Sequence, residues 1–266
     1  MKRLFADLPQ VLRKRPDMRL VLMSATGDYT VLNRLYASFD PEIISLEGKP
    51  QPLVLHFVPR IGTSLNVMIW QLVRQIILNK EGTLPTGDIL IFLPGEAEIH
   101  SIVETLRHLP RDFPIEARSL QILKLYRDLD ETESGLVLND KIDTNGTILR
   151  KVICATNIAE TSVTFKNLDY VIDSGENRTL VYNADRNETV LLKTACSRSQ
   201  MLQRFGRAGR RRPGIAIGLY TRDFFENAQA HPEPPVRQAD LTSTVLTLIS
   251  MGVTDLHAFP WVRKST

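Results

Sequence analysis

The sequence predicts an α/β protein: a parallel β-sheet with flanking helices, interrupted by a β-hairpin and followed by a short C-terminal helical segment. Three observations carry this. Short aliphatic runs bounded by turn residues recur along the chain, as strands buried on both faces of a parallel sheet require. Helical stretches lie between them, which is the order of right-handed βαβ units. One stretch, RTLVYNADRNETVLLK (178–193), breaks the rhythm with two strand-like pieces around NADRN.

In chain order, residues 4–15 carry a loose helical apolar pattern, and Pro16-Asp17 separates them from MRLVLMSAT (18–26), read as the first strand. DILIFL (88–93), KVICAT (151–156) and LDYVID (168–173) are the next strands, and EAEIHSIVETLRHL (96–109) is the clearest helix. After the hairpin, SRSQMLQRFGRAGR (197–210) reads as a helix and GIAIGLYT (214–221) as a strand. HPEPPVRQ (231–238) is a Pro-rich break. ADLTSTVLTLISMGV (239–253) then reads as a helix of a new unit, with Leu241, Val245, Leu248 and Ile249 on one face.

With 266 residues, 43% of them hydrophobic, the chain has material for one good core and part of a second. A formal charge of +3 is mild, so any nucleic-acid footprint must be local. Cys154 and Cys196 are the only cysteines, which argues against a disulfide scaffold and fits a reducing compartment. No run has the length of a membrane span, and the basic start is broken by Asp7 and Pro9 before any signal-like stretch forms. The sequons at Asn145, Asn177 and Asn187 then read as ordinary loop chemistry. The expectation is an intracellular protein, of cytoplasm or nucleus, with no membrane contact.

The densest chemistry lies in MLQRFGRAGRRRPG (201–214), with five arginines between 204 and 212 interleaved with glycine. An arginine cluster is ordinarily a solvated surface. Here Gly206 and Gly209 permit close backbone approach, and Arg207 and Arg210, three apart, share one face if the helix continues through them. Guanidinium groups so placed clamp a polyphosphate bidentately, where lysine acts as a point charge.

QRFGRAGR (203–210) resembles the last helicase motif of the DEAH-box/RHA family, superfamily 2 ATPases that act mainly on RNA. MSAT (23–26) resembles that family's coupling motif, GDILIFLPGEAEI (87–99) the opening of its second RecA-like domain, and ATNIAETSVT (155–164) its fifth motif. YVIDSG (170–175) and the hairpin follow in family order. The resemblance implies a RecA-like fold, ATP with Mg²⁺ as cofactors in the full-length context, and single-stranded nucleic acid, expected to be RNA, as partner. It also implies glycine-rich patch activators as possible partners, and a monomer is expected.

Residue by residue, the resemblance makes Arg207 and Arg210 arginine fingers that reach the γ-phosphate of ATP held by the first RecA-like domain. Gln203 is implied to position the attacking water. Thr164 and Leu138 join the two arginines at the nucleotide, Leu138 standing where many members stack a phenylalanine on adenine. Gly95, Thr156 and Asn157 are implied RNA-backbone contacts; a turn glycine and N-capping are the plain alternatives for them. Ser24 and Thr26 are implied interdomain couplers. The hairpin at 180–192 resembles one that separates or grips nucleic acid, with a bare structural hairpin as the alternative. Arg204, Arg211 and Arg212 read as surface or nucleic-acid electrostatics. Lys166 stands where an acidic residue is common in the family.

No G-x-x-x-x-G-K-[ST] string is present, Gly48-Lys49 being followed by Pro50, and no DEAH motif; no metal ligand is assigned. Residues 1–45 resemble the end of the first RecA-like domain, 46–230 the second, and 231–266 the start of a winged-helix domain, so a fragment, a truncated gene product or a natural short product is expected. The function expected is the second motor domain of a DEAH-box RNA helicase, inactive alone. The alternative is a catalytically inactive fragment that binds nucleic acid or a partner.

Overall fold

The computed structural model describes residues 8, 11–23, 33, 36–44, 51–79, 82–108, 120–139, 150–160, 163–210, 212–233, 238–250 and 252–256. Its centre is a six-stranded, wholly parallel sheet. The strands are β1 (Leu53–Phe57), β2 (Asp88–Phe92), β3 (Leu120–Leu125), β4 (Arg150–Ala155), β5 (Leu168–Asp173) and β8 (Gly214–Gly218), in the spatial order β1-β8-β5-β2-β4-β3. A separate two-stranded sheet, β6 (Glu176–Asn183) with β7 (Glu188–Ala195), is the hairpin.

Alternation along the central strands sends side chains into two cores. On one face Ile89, Ile91, Val152, Cys154 and Ile172 meet α1 (Leu65–Leu78) and α2 (Glu96–Arg107), through Ile69, Val73, Ile99 and Leu106. On the other, Leu90, Phe92, Ile153, Ala155 and Val171 meet α3 (Glu131–Leu138) and α4 (Arg198–Phe205), through Val137, Met201 and Phe205. Each such aliphatic or aromatic burial contributes about 1.5–3 kcal/mol, which is why β2, β4 and β5 read as continuous apolar runs.

Local chemistry sets the helix ends. Ser64, Asp130, Ser197 and Thr221 each cap a helix by accepting a backbone N–H, and Ser197 with Gln200 forms a reciprocal capping box. At the hairpin tip, Asn183 Oδ1 accepts from the amides of Asp185 and Arg186, and Asn187 adopts φ 51°.

The chain divides into two compact units, one of residues 49–179 and 191–232, the other of 1–48, 180–190 and 233–266. The first holds the sheet. In the second, α6 (Thr242–Ser250) buries Leu248 and half-buries Leu241 and Val245, while Ile249 is 53% exposed and does not belong to the buried face.

Three sequence expectations need correction. Residues 18–23 form no strand, and Val21 and Met23 are exposed by 76% and 91%; a parallel strand needs neighbours to complete its ladder, and 18–23 pair with none among the described residues. The last strand stops at Gly218, because Leu219 and Tyr220 turn into the Thr221 cap of α5 (Arg222–Asn227). The helix of QRFGRAGR ends at Phe205, so Arg207 and Arg210 lie in a turn and share no helical face. The helix is capped at Gly206, and Gly209 then fixes the turn that follows. Its carbonyl accepts from Gln51 N at 3.3 Å, and a Cβ there would stand 3.3 Å from Gln51 O, so the chain is pinned against the start of β1.

Candidate nucleotide and nucleic-acid site

The carboxyl ends of parallel strands are where α/β sheets present ligand-binding groups. Three of the implied nucleic-acid residues sit there. Gly95 caps α2 directly after β2, and Thr156 and Asn157 follow β4 into a short 3-10 turn, Asn157–Glu160. Asn157 is exposed and Thr156 half-buried, and among the described residues neither side chain has a hydrogen-bond partner, so neither caps the turn. Gly95 is not an open glycine: a Cβ on it would lie 2.6 Å from Arg178 Nε and 2.8 Å from Arg178 Cδ. Arg178, on β6, bonds Glu98 at 3.1 Å, and Lys193, on β7, approaches the same carboxylate at 3.6 Å. Burial opposes the charge of Glu98, yet Arg178 and Lys193 hold its carboxyl below the usual value. The root of the hairpin is thus fastened to α2 by ionic contacts to Glu98, with Arg178 lying against Gly95. The sequence reading missed Arg178 and Lys193, which carry no local signature apart from membership of the hairpin.

The arginines of 204–212 divide into three kinds. Arg204 is fully buried, contrary to the surface role expected for it. Its Nε donates to Glu160 Oε1 at 2.8 Å, its Nη1 to Asp173 Oδ1 at 2.7 Å and to Glu176 O at 3.3 Å, and its Nη2 to Asn177 Oδ1. A buried guanidinium persists only when carboxylates and acceptors satisfy its fork of donors, and here they do. Asn177 is therefore no loop sequon: its side chain is buried and engaged. Burial raises the Glu160 carboxyl above its usual range, with Arg204 opposing that rise. Arg212 is not free electrostatics either. It pairs with Asp169 and donates to Asn167 O at 3.0 Å, at the opposite, amino edge of the sheet. Arg211 lies outside the described residues.

Arg207 is the third kind. It is 3% exposed, and its Nη1 donates to Val163 O at 2.7 Å, but among the described residues its buried Nε has no partner. Burial, then the nearby charge of Arg210, pushes its pKa down to about 10, with Glu160 opposing. Arg210 is exposed, as is Thr164, which adjoins the Val163 carbonyl, and Gln203 is half-buried in α4. Two cations close together, one with an orphaned buried donor, form a setting that an anion with several oxygens would complete. That fits a phosphate group. Mg²⁺ finds no equivalent: among the described residues no cluster of His, Cys, Asp or Glu is grouped to hold a metal.

Leu138 ends α3 and is 47% exposed, while Lys151 Nζ donates to the flanking carbonyls of Val137 and Asn139 at 3.1 and 2.8 Å. A buried lysine thus ties down the helix end that presents Leu138. Lys166 is exposed. Ser24 and Thr26 lie outside the described residues. No helix among the described residues is long and apolar enough to cross a membrane.

Comparison with known proteins agrees with this arrangement. Residues 69–212, more than half of the 266, match the helicase conserved C-terminal domain. The chain is 32% identical over 247 residues to the ATP-dependent RNA helicase DHX33 of Mus musculus, covering 93% of this chain and 34% of that protein. It is 34% identical over 268 residues to the putative pre-mRNA-splicing factor ATP-dependent RNA helicase C20H4.09 of Schizosaccharomyces pombe, covering 99% of this chain and 40% of that protein. The chain therefore spans well under half the length of these relatives. Two crystal structures of E. coli HrpB, described as a DExH-box NTPase and as a DEAH/RHA helicase, superpose with TM-scores of 0.82 and 0.83 at 27% and 28% identity. Each superposition covers 98% of this chain, and 31% and 32% of the HrpB chains. With the RecA-like sheet, the hairpin and the family model in agreement, the chain belongs to the helicase conserved C-terminal domain family of the DEAH-box RNA helicases.

Proposed function

We propose that this chain serves as the second motor domain of an ATP-dependent RNA helicase, contributing Arg207 and Arg210 to phosphoryl transfer and Gly95, Thr156 and Asn157 to a single-stranded RNA track. One observation carries the reading: within one arginine-rich string, Arg204 and Arg212 are neutralised by carboxylates, whereas among the described residues Arg207 Nε is buried without a partner and Arg210 stands exposed beside it.

ATP, when bound by a neighbouring P-loop domain, supplies the γ-phosphoryl group on which negative charge grows during transfer. Arg207, held by Val163 O, keeps a fixed orientation and needs little reorganisation to meet that charge. Arg210, exposed beside it, is the group that would move onto it. Thr164 flanks the same carbonyl, Gln203 precedes the turn by four residues from Arg207, and Leu138 offers an apolar contact to a base without the π-face of an aromatic. On the opposite arm, Thr156 and Asn157 offer side chains without a hydrogen-bond partner among the described residues, which suits backbone contacts that ignore base identity.

The test belongs in a protein that also carries the P-loop domain. Arg210→Ala should lower kcat on the order of 10³-fold with RNA affinity nearly kept, and Arg210→Lys should rescue poorly because it lacks the planar fork. Normal ATP hydrolysis by Arg210→Ala would overturn the assignment.

A further inference from the structure

One guanidinium reaches the ends of three neighbouring strands, β2, β4 and β5, of which β2 and β4 lead into the residues of the proposed RNA track. Arg204 lies over the Phe92 ring, 5.0 Å from its centroid, at the end of β2 three residues before Gly95. It holds Glu160, the last residue of the turn that Asn157 opens after β4. It holds Asp173 at the end of β5 and Asn177 and Glu176 O at the start of β6, the strand that carries Arg178 to Gly95. Its own backbone carbonyl accepts Arg207 N at 3.0 Å, so the turn bearing the phosphate-facing arginines hangs from the same residue. Arg207 closes the circuit by donating to Val163 O, three residues beyond Glu160. Asp173 is fixed in turn by Tyr220 Oη at 2.9 Å and by Gly175 N at 3.0 Å.

We propose that Arg204 is a positioning residue that couples occupancy of the RNA face to the placement of the 206–210 turn, by holding Glu160 and Asn177 on one side and Arg207 on the other. This rests on the RNA-track reading above. The physical reason is that a buried fork with four hydrogen bonds, every nitrogen engaged, resists small displacements of any one arm. A shift of the Asn157–Glu160 turn or of the hairpin root is then passed to the last turn of α4 and not absorbed by loose side chains. The coupling is a free energy shared between two sites, and it therefore has a measurable ligand-dependent signature.

Arg204→Ala would leave carboxylates buried without their counter-charge, so the test uses the arms. Asn177→Ala removes the hairpin arm, Glu160→Ala the turn arm, and Glu160→Gln keeps an acceptor for Nε. Backbone hydrogen exchange of the 266-residue chain is followed with and without single-stranded oligouridine at low salt, with the amides of β2 and β4 as the folding control. In the unsubstituted chain, oligouridine should slow exchange near Gly95, Thr156 and Asn157, and also slow the hydrogen-bonded amides of 206–208 by about fivefold or more. Asn177→Ala and Glu160→Ala should retain the first protection and lose the second, and Glu160→Gln should retain both. If both alanine variants keep the 206–208 response, the coupling role of Arg204 is overturned. The same holds if the unsubstituted chain protects the RNA face without any response at 206–208, and the track reading then survives. If the RNA face itself gives no response, the track reading fails and the coupling with it.

Discussion

Arg207 and Arg210, the pair proposed to meet phosphate, are held together against their own repulsion. Arg207 is buried, and burial followed by the charge of Arg210 depresses its pKa to about 10. A depressed base means that the charged form is disfavoured in the folded state at every pH below that value, and the penalty is relieved only as pH rises through it. Removing the neighbouring charge should therefore stabilise the chain while destroying its chemistry. Arg210→Gln is expected to raise Tm by about 1–2 °C at low ionic strength, with the gain shrinking in high salt. Differential scanning calorimetry at two salt concentrations checks this, and a lower Tm would contradict the repulsion. Cys154 and Cys196 present the opposite case. Both thiols are buried, Cys154 pushed up to about 12 and Cys196 also raised, in each case chiefly by burial. Thiol reagents at neutral pH should label neither until the sheet unfolds, so labelling kinetics should track global unfolding. Rapid labelling of either in the native chain would show that this core opens locally.

At the scale of the element, the junction from β5 into the hairpin combines a positive φ with close packing. Gly175 has φ +75°, and a Cβ on it would stand 2.6 Å from the Tyr220 ring. Gly62 has φ +67° with open space around it. Gly62→Ala should cost about 1–2 kcal/mol, the left-handed penalty alone, whereas Gly175→Ala should cost more because Tyr220 cannot move without releasing Asp173. Urea unfolding of the two variants measures the difference, and equal losses would mean that the ring yields freely. The helix α4 was visible in the sequence from Ser197 onward because its cap and Gln200 form a local pattern. Its end falls at Gly206, a glycine that the sequence already offers as a helix stop, and beyond it the turn is held by Gly209 bonded to Gln51, a residue far away in sequence.

For the molecule as a whole, the 266 residues carry the arginines proposed to meet phosphate but no P-loop string. The chain by itself is expected to release no phosphate from ATP, with or without RNA, in a coupled phosphate assay. Its binding of single-stranded RNA should be weak and should fall steeply with salt, because the contacts proposed are to backbone phosphate and only one side of a track is present. Fluorescence anisotropy across a salt series checks this; tight binding that persists in high salt would argue for base-specific contacts instead.

Composition and pattern alone carried the central strands and the hairpin. DILIFL, KVICAT and LDYVID are buried on both faces, and such runs need no partner to be recognised. The edge strands β1 and β3 escaped, since each buries only part of its surface and so shows no continuous apolar run. MRLVLMSAT had the composition of a strand but pairs with nothing among its described residues, and pairing is a property of neighbours. The site divides in the same way. Glycine spacing and arginine density in 203–210 pointed to phosphate from the sequence. Which arginines remain available for it depended on Asp173 and Glu160, 31 and 44 residues from Arg204 in the chain, and on Asp169, 43 residues from Arg212. Those distances close only when the parallel sheet brings its strand ends together, because electrostatic pairing acts through space and sequence spacing records only what is local.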